Sequence, residues 1–393
     1  MATKKIAAVV TEYRRWSHAD VILGKILEGY LHDSKERPDL ELASMYVDQF
    51  PDNDMSRELA KKYKFVIYDS IPKALTRGGA LLAVDGVLII GEHGKYADND
   101  KGQKLYPRRR FFEAVMDTFA RYKKSVPVFT DKHLSYSWEN AKWMYDRARE
   151  LFVPLLAGSS LPVTWRKPPV KLPMGCALEE VVQVGYGPFE GYGFHALEAM
   201  QCMVERRKGG ETGVKSVQCL QGEAMWKAMD EGRWSKSLLE AALERVPAHA
   251  KGNYRELTAK SKSGGVFLID YKDGLKAAVA MMNGYVYEGD GGAFTFAAKQ
   301  RDKPEPVSTH FYLQQPDPFG HFAYLLRAID SMMQTGHPPY PVERTLLTTG
   351  ILDAVMTSRH EMNKKLDTPQ LAIKYQPTDW PFATDPVPKT IKR

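Results

Sequence analysis

The chain of 393 residues carries three cysteines, Cys176, Cys202 and Cys219, and no C-x-x-C spacing joins them. That excludes a cysteine zinc site and a disulfide framework, and it suits a reducing compartment. No stretch approaches the ~20 apolar residues that span a bilayer. The N-terminal M-A-T-K-K-I-A-A-V-V has an apolar run too short for a signal peptide and passes directly into polar residues. A cytoplasmic protein is expected. There is also no block of one charge. Lysine and arginine number 55 against 48 acids, giving a net charge of +7 and a pI near 9.0. That basic balance invites a nucleic-acid partner, but the basic residues interleave with acids, as in K-E-R-P-D and Y-D-R-A-R-E. Without a helix-turn-helix pattern or an aromatic-basic stripe, nucleic acid is excluded as a partner. The one tight run, Pro107-Arg108-Arg109-Arg110, reads as a solvated helix start or an anion contact. Internal repeats and low-complexity tracts are absent too.

The first half alternates apolar runs with amphipathic ones. Ile6–Val10, Leu42–Val47, Phe65–Ile67, Val87–Ile90, Val126–Thr130 and Val153–Ala157 read as short buried strands. Helical spacing falls between them, most clearly over 106–122, with Phe111, Phe112, Val115, Met116 and Phe119 on one face, and after Trp138. This alternation predicts a doubly wound parallel sheet. The Lys167-Pro168-Pro169 and Leu172-Pro173 segment marks a linker, so the expected units are 1–166, 167–374 and an extended tail at 375–393. In the second unit the runs 214–220, 266–271, 275–282, 293–298 and 310–314 lack helical crossovers, and G-D-G-G at 289–292 signals a turn. A mostly antiparallel open sheet with helices is expected there: an α+β domain beside an α/β one.

In open α/β sheets, ligands bind at the carboxyl ends of the strands. Four of these ends carry chemistry. After Val10 comes Thr11-Glu12-Tyr13-Arg14-Arg15-Trp16-Ser17-His18, with no glycine before Gly24. A dinucleotide-binding turn ordinarily reads G-x-G-x-x-G, which brings backbone N–H groups close to a pyrophosphate. Two readings compete. Arg14 and Arg15 hold phosphates by charge, with Ser17 capping the following helix, or the dinucleotide site is reshaped or lost. Asp48 closes the second strand, where an acid accepts from ribose hydroxyls. After Ile90, the turn Gly91-Glu92-His93-Gly94 offers a carboxylate and an imidazole for proton transfer. After Thr130, Asp131-Lys132-His133 sits between a strand and a helix.

This order of parts resembles the Gfo/Idh/MocA family of sugar and polyol oxidoreductases over nearly the whole chain. Asp131-Lys132-His133 stands where that family has E-K-P, with the lysine kept. His18 stands where members often carry a histidine after the glycine loop. In the second unit, Gly191-Tyr192-Gly193-Phe194-His195, followed by Glu198, is similar to the family's D-x-G-x-H-x-x-D. Gly193 and His195 match it, Glu198 replaces the last aspartate, and Glu190 lies one residue before the first. The resemblance implies a cytoplasmic, NAD- or NADP-dependent oxidoreductase acting on a small carbohydrate, assembled as a homo-oligomer. Lys132, His195 and Glu190 would be the catalytic candidates. Arg14, Arg15, Ser17, Asp48, Glu92, His93 and Asp131 would face the cofactor, and no metal is called for. Oxidising a sugar hydroxyl needs a group to take the proton while a hydride leaves, and Lys132 and His195 would share that proton transfer. A lyase, isomerase or hydrolase, or a non-catalytic sugar binder on the same scaffold, is the alternative.

Overall fold

The computed structural model describes residues 3–287, 292–301, 303–315 and 317–393. The turn expected at 289–292 lies outside these apart from Gly292. The first sheet is built from β1 (Lys4–Val10), β2 (Leu40–Val47), β3 (Val66–Tyr68), β4 (Gly86–Ile90), β5 (Val128–Asp131) and β6 (Leu155–Gly158). Their order is β3-β2-β1-β4-β5-β6, with every pairing parallel. Between them run α1 (His18–Glu28), α2 (Ser56–Tyr63), α3 (Ile71–Thr76), α4 (Arg108–Tyr122) and α5 (Trp138–Glu150). Ile6 through Val10 are all fully buried, as they must be in a strand covered on both faces. One apolar layer contains Ile22, Leu23 and Ile26 of α1, and the other contains Phe111, Val115 and Phe119 of α4.

The second sheet comprises β7 (Trp165–Lys167), β8 (Leu178–Gly185), β9 (Val214–Leu220), β10 (Gly265–Tyr271), β11 (Lys276–Met281), β12 (Phe294–Gln300), β13 (Val307–Tyr312) and β14 (Leu366–Asp367). Its order is β14-β9-β10-β11-β8-β12-β13-β7, and all pairs except β11 with β8 are antiparallel. The mixed α/β architecture expected from the sequence is therefore present. Two details differ. The central strand β8 was not evident in the sequence, because L-E-E-V-V-Q-V-G is charged at one end and lacks clean alternation. Helices also lie on both faces of this sheet, where the family resemblance implies helices on one. Gly185 of β8 faces Ala196 of α6 (Gly191–Val204). On the opposite face, Glu180, Asp270 and Lys276 group around Trp234, just before α8 (Lys236–Leu243), which follows α7 (Glu223–Asp230) and precedes α9 (Tyr254–Lys260).

The last two helices tie the molecule together. α10 (Gly320–Thr335) packs Leu325, Leu326, Ile329 and Met332 into the apolar layer that holds α1, on the first sheet. α11 (Glu343–His360) runs against α5, α6 and β9. Its Thr349 Oγ1 accepts from the Leu134 N–H at 3.2 Å, and its Asp353 carboxylate accepts from the Trp138 N–H at 3.0 Å. Both contacts clamp the turn that carries Lys132. Arg344 anchors α11 to Glu205, just past α6, through Nε at 2.9 Å, with both side chains buried. The tail beyond Tyr375 has no regular element but is docked. Ala383 N–H donates to the Val163 carbonyl at 2.9 Å, and Trp165 Nε1 donates to the Asp385 carbonyl at 2.6 Å.

Candidate functional site

The carboxyl ends of β1, β4, β5 and β6 meet α6 and the loop before α10 around a cavity of about 170 Å³. His18, Glu92, His93, Lys132 and His195 line it, together with Ser159, Ser160 and His321. The aromatic side chains Tyr192, Phe294 and Phe322 complete the wall, and Tyr192 and Phe294 lie nearly parallel at 24°. Lys132 directly follows β5 and His195 lies on α6, 63 residues apart in sequence, yet they share this space. Three residues at or beside the cavity, Trp16, His93 and Lys132, adopt left-handed backbone conformations, with φ of 61°, 71° and 62°. Such conformations cost a non-glycine residue about 1 kcal/mol or more and cluster where function holds them.

Lys132 is buried and its Nζ donates to Glu92 Oε1 at 2.9 Å. The other oxygen of Glu92 accepts from Arg108 Nη2 at 2.5 Å. Burial works against a charge on Lys132, but Glu92 outweighs it and raises the lysine pKa above its ordinary value. Burial likewise opposes the Glu92 carboxylate, and Lys132 and Arg108 overcome that and hold its pKa well below the usual range. Both groups stay ionised near neutrality. Behind them, His133 Nε2 lies between Arg108 Nη1 at 3.1 Å and Glu190 Oε1 at 2.8 Å. Lys132 and Arg108 thus balance the charges of Glu92 and Glu190 in one buried cluster. Glu190 belongs to this supporting layer and contacts His133, not His195.

The histidines divide into two kinds. His195 is wrapped by Tyr192, Phe194 and Phe294, and its Nδ1 has no protein partner. Burial, then Lys132, push its pKa well below the ordinary value. His93 is pushed down to about 3, by burial first and then His18. Each is neutral near pH 7. His18 has a carboxylate partner: its Nδ1 lies 2.7 Å from Oδ2 of the fully buried Asp131.

In the first turn, Glu12 and Tyr13 are buried where glycines were lacking, and Arg14 Nε donates to Glu12 Oε1 at 2.6 Å. Arg15 is drawn away to Asp317 at 3.0 Å, a residue that also accepts from Trp16 Nε1. Ser17 caps α1, accepting from the Asp20 N–H at 3.3 Å, and Asp20 in turn accepts from the Trp16 N–H at 2.9 Å. Asp48 accepts from Tyr46 and Arg110 on Oδ1 and from Tyr96 on Oδ2, all within 2.8 Å. The arginine run at 108–110 is therefore not a solvated helix start. Arg108 is buried in the site, Arg109 lies 3.3 Å over the Trp143 ring, and Arg110 holds Asp48. The sequence carried one signal for Arg108: Gly91, at the end of β4, where a Cβ would stand 2.8 Å from the Arg108 side chain. No group of three or more His, Cys, Asp or Glu side chains among the described residues is arranged to hold a metal ion. No helix among them is long and apolar enough to cross a membrane.

Solved structures share this architecture from end to end. GenD2 from gentamicin A biosynthesis, in complex with NAD, superposes with a TM-score of 0.59 at 13% identity, over 93% of this chain and 97% of its own. A myo-inositol dehydrogenase from Corynebacterium glutamicum gives 0.56 at 12%, over 93% and 98%. The apo scyllo-inositol dehydrogenase from Lactobacillus casei gives 0.55 at 10%, over 93% and 99%. The chain has the two-domain fold of these dehydrogenases. No protein-family model matches its sequence, and no curated protein does. At such identities the fold is what is shared, so the chemistry must be argued from this chain's own side chains.

Proposed function

We propose that the chain is a nicotinamide-dependent oxidoreductase acting on a sugar, polyol or related carbohydrate, with Lys132 and His195 at the reacting oxygen. The observation that carries this reading is the cavity itself. A buried, charged lysine and a neutral histidine from the other domain converge at the carboxyl edge of a parallel sheet. Lys132, held ionised by Glu92, donates to the reacting oxygen and stabilises the negative charge that develops as its proton leaves. His195, with Nδ1 unengaged by protein, is placed to bond a substrate hydroxyl. The near-parallel faces of Tyr192 and Phe294 suit the C–H face of a sugar ring.

A dinucleotide fits the residues present, on altered terms. Asp48 uses three of its roughly four acceptor positions, which leaves one on Oδ2 for a ribose hydroxyl. The pyrophosphate would meet the guanidinium of Arg14 and the N-terminus of α1 in place of glycine N–H groups. Glu12 in that turn is neutralised by Arg14, and Arg15 is committed to Asp317. When bound, the nicotinamide would supply the hydride acceptor. The chain's own residues bind and orient the substrate and stabilise the charge.

The test is direct. Native mass spectrometry of the purified protein and titration with NAD(H) and NADP(H) would use the fluorescence of Trp16, which is 57% exposed in the first turn. Absorbance at 340 nm would then follow reduction of each cofactor with myo-inositol, scyllo-inositol and glucose. Bound dinucleotide and turnover of a polyol are expected. No binding of either cofactor at millimolar concentration would overturn the reading.

A further inference from the structure

Proton transfer is unassigned by the charges around Lys132. A lysine that stays protonated can steady an alkoxide but cannot accept the proton of the substrate hydroxyl. We infer that His18, oriented by Asp131, is the proton acceptor of this site, a role that rests on the oxidoreductase reading.

His18 is the first residue of α1 and lines the cavity with Lys132 and His195. Asp131 is fully buried and its Oδ2 lies 2.7 Å from His18 Nδ1. A carboxylate can only accept, so this contact places a ring proton on Nδ1, and the neutral ring then carries its lone pair on Nε2. Phe322 and His93 hold the ring edge-on at 5.3 and 5.4 Å, which fixes its plane. A buried carboxylate, a tautomer-locked imidazole and an open ring nitrogen are the parts of a general base. The other cavity histidines lack such a carboxylate: Nδ1 of His195, Nε2 of His93 and Nδ1 of His321 are buried without a partner. The charged and titratable groups facing His18 are Asp131 and Lys132 from β5, Glu92 and His93 after β4, His195 of α6 and His321 of α10. In the step proposed, the substrate O–H bond breaks and its proton passes to His18 Nε2. The C–H electron pair leaves as hydride to the nicotinamide acceptor named above. Asp131 touches neither substrate nor cofactor in this account and is a positioning residue.

The experiment uses the full-length protein labelled with ¹⁵N-histidine. Two-bond ¹H–¹⁵N correlation spectra would be recorded without ligand near pH 7.5, with His18→Gln assigning the resonance. His18 is expected as the neutral Nδ1–H tautomer, and Asp131→Asn is expected to abolish that preference while other histidine signals stay in place. Finding His18 as the Nε2–H tautomer or as an imidazolium, or an unchanged tautomer in Asp131→Asn, overturns the inference. Under the 340 nm assay, His18→Gln should lower kcat about a hundredfold or more with little change in KM. Asp131→Asn should lower it less. A His18→Gln variant with wild-type kcat overturns the role. If wild-type protein binds no dinucleotide, the oxidoreductase reading fails. The NMR arm still shows separately whether the Asp131–His18 pair exists.

Discussion

Glu198 stands behind the site wall, 1% exposed, and its carboxyl accepts from the Ser159 N–H at 2.6 Å. Burial pushes its pKa up from 4.5 to about 7, against the opposing pull of Ser159 and Arg344. Thr345 Oγ1 lies 2.9 Å from both the Ala157 carbonyl and Glu198 Oε1, and its bond to Glu198 also pulls that pKa down. Between pH 4.5 and about 7 the folded chain keeps a proton that the unfolded chain has released. Stability therefore falls as pH rises through that window, by ~1.4 kcal/mol per unit and by about 3 kcal/mol in all. The contribution is complete below the window and lost above it. Glu198→Gln preserves the shape. Its amide oxygen accepts from Ser159, its NH₂ donates to Thr345, and it has no proton to lose. Urea unfolding of both proteins from about pH 4.5 to 8.5 should give similar stabilities at the acid end, with the variant ahead by about 3 kcal/mol near pH 8. A gap that does not change with pH would refute the reasoning, as would a variant less stable than wild type near pH 8.

Arg344→Ala should destabilise the fold by ~3–5 kcal/mol in chemical denaturation, since it strands the buried Glu205 carboxylate that α11 neutralises. Gly158→Ala should cost at least ~1–3 kcal/mol from backbone strain alone, because φ there is +125° and the new Cβ would stand 2.5 Å from Glu198 Oε1; thermal melts would read it. Arg14→Ala should weaken dinucleotide binding about tenfold or more in the fluorescence titration, whereas Arg15→Ala should change it little, because Asp317 already holds Arg15. Equal losses in the two would show that the first turn rearranges on binding. Lys132→Met should lower kcat about a hundredfold to a thousandfold, the usual cost of losing a donor to a developing oxyanion. Retained turnover in that variant would remove Lys132 from the reacting centre.

The architecture was legible because burial on both faces writes long apolar strands and amphipathic helices into the chain, and those periods survive any detail of packing. Five of the six strands of the first sheet were readable in this way, and the partly exposed β3 showed only as a short apolar run. The strands that escaped were those whose burial comes from neighbours rather than from their own pattern: β8, with two glutamates in its first half, the short β7 inside a proline-rich segment, and β14. The cavity was partly legible. Lys132, Glu92, His93 and His195 each sit at a strand end or a glycine-rich turn, positions where residue type and place together suggest chemistry. Gly91 was the one trace of Arg108, since nothing in the run of three arginines itself says that the first turns inward, the second stacks on Trp143 and the third holds Asp48.

By itself, then, the sequence determined the two kinds of sheet, the order of elements and which strand ends bear reactive groups, because these follow from local periodicity and turn chemistry. It also settled that the first turn lacks the glycines for close backbone approach. Only the tertiary structure decided which reactive groups meet. The pairing of His18 with Asp131 spans 113 residues, that of Lys132 with Glu92 spans 40, and that of Thr345 with Glu198 spans 147. Those contacts set charge states through burial and partner distance, and neither quantity exists until the domains have closed on one another.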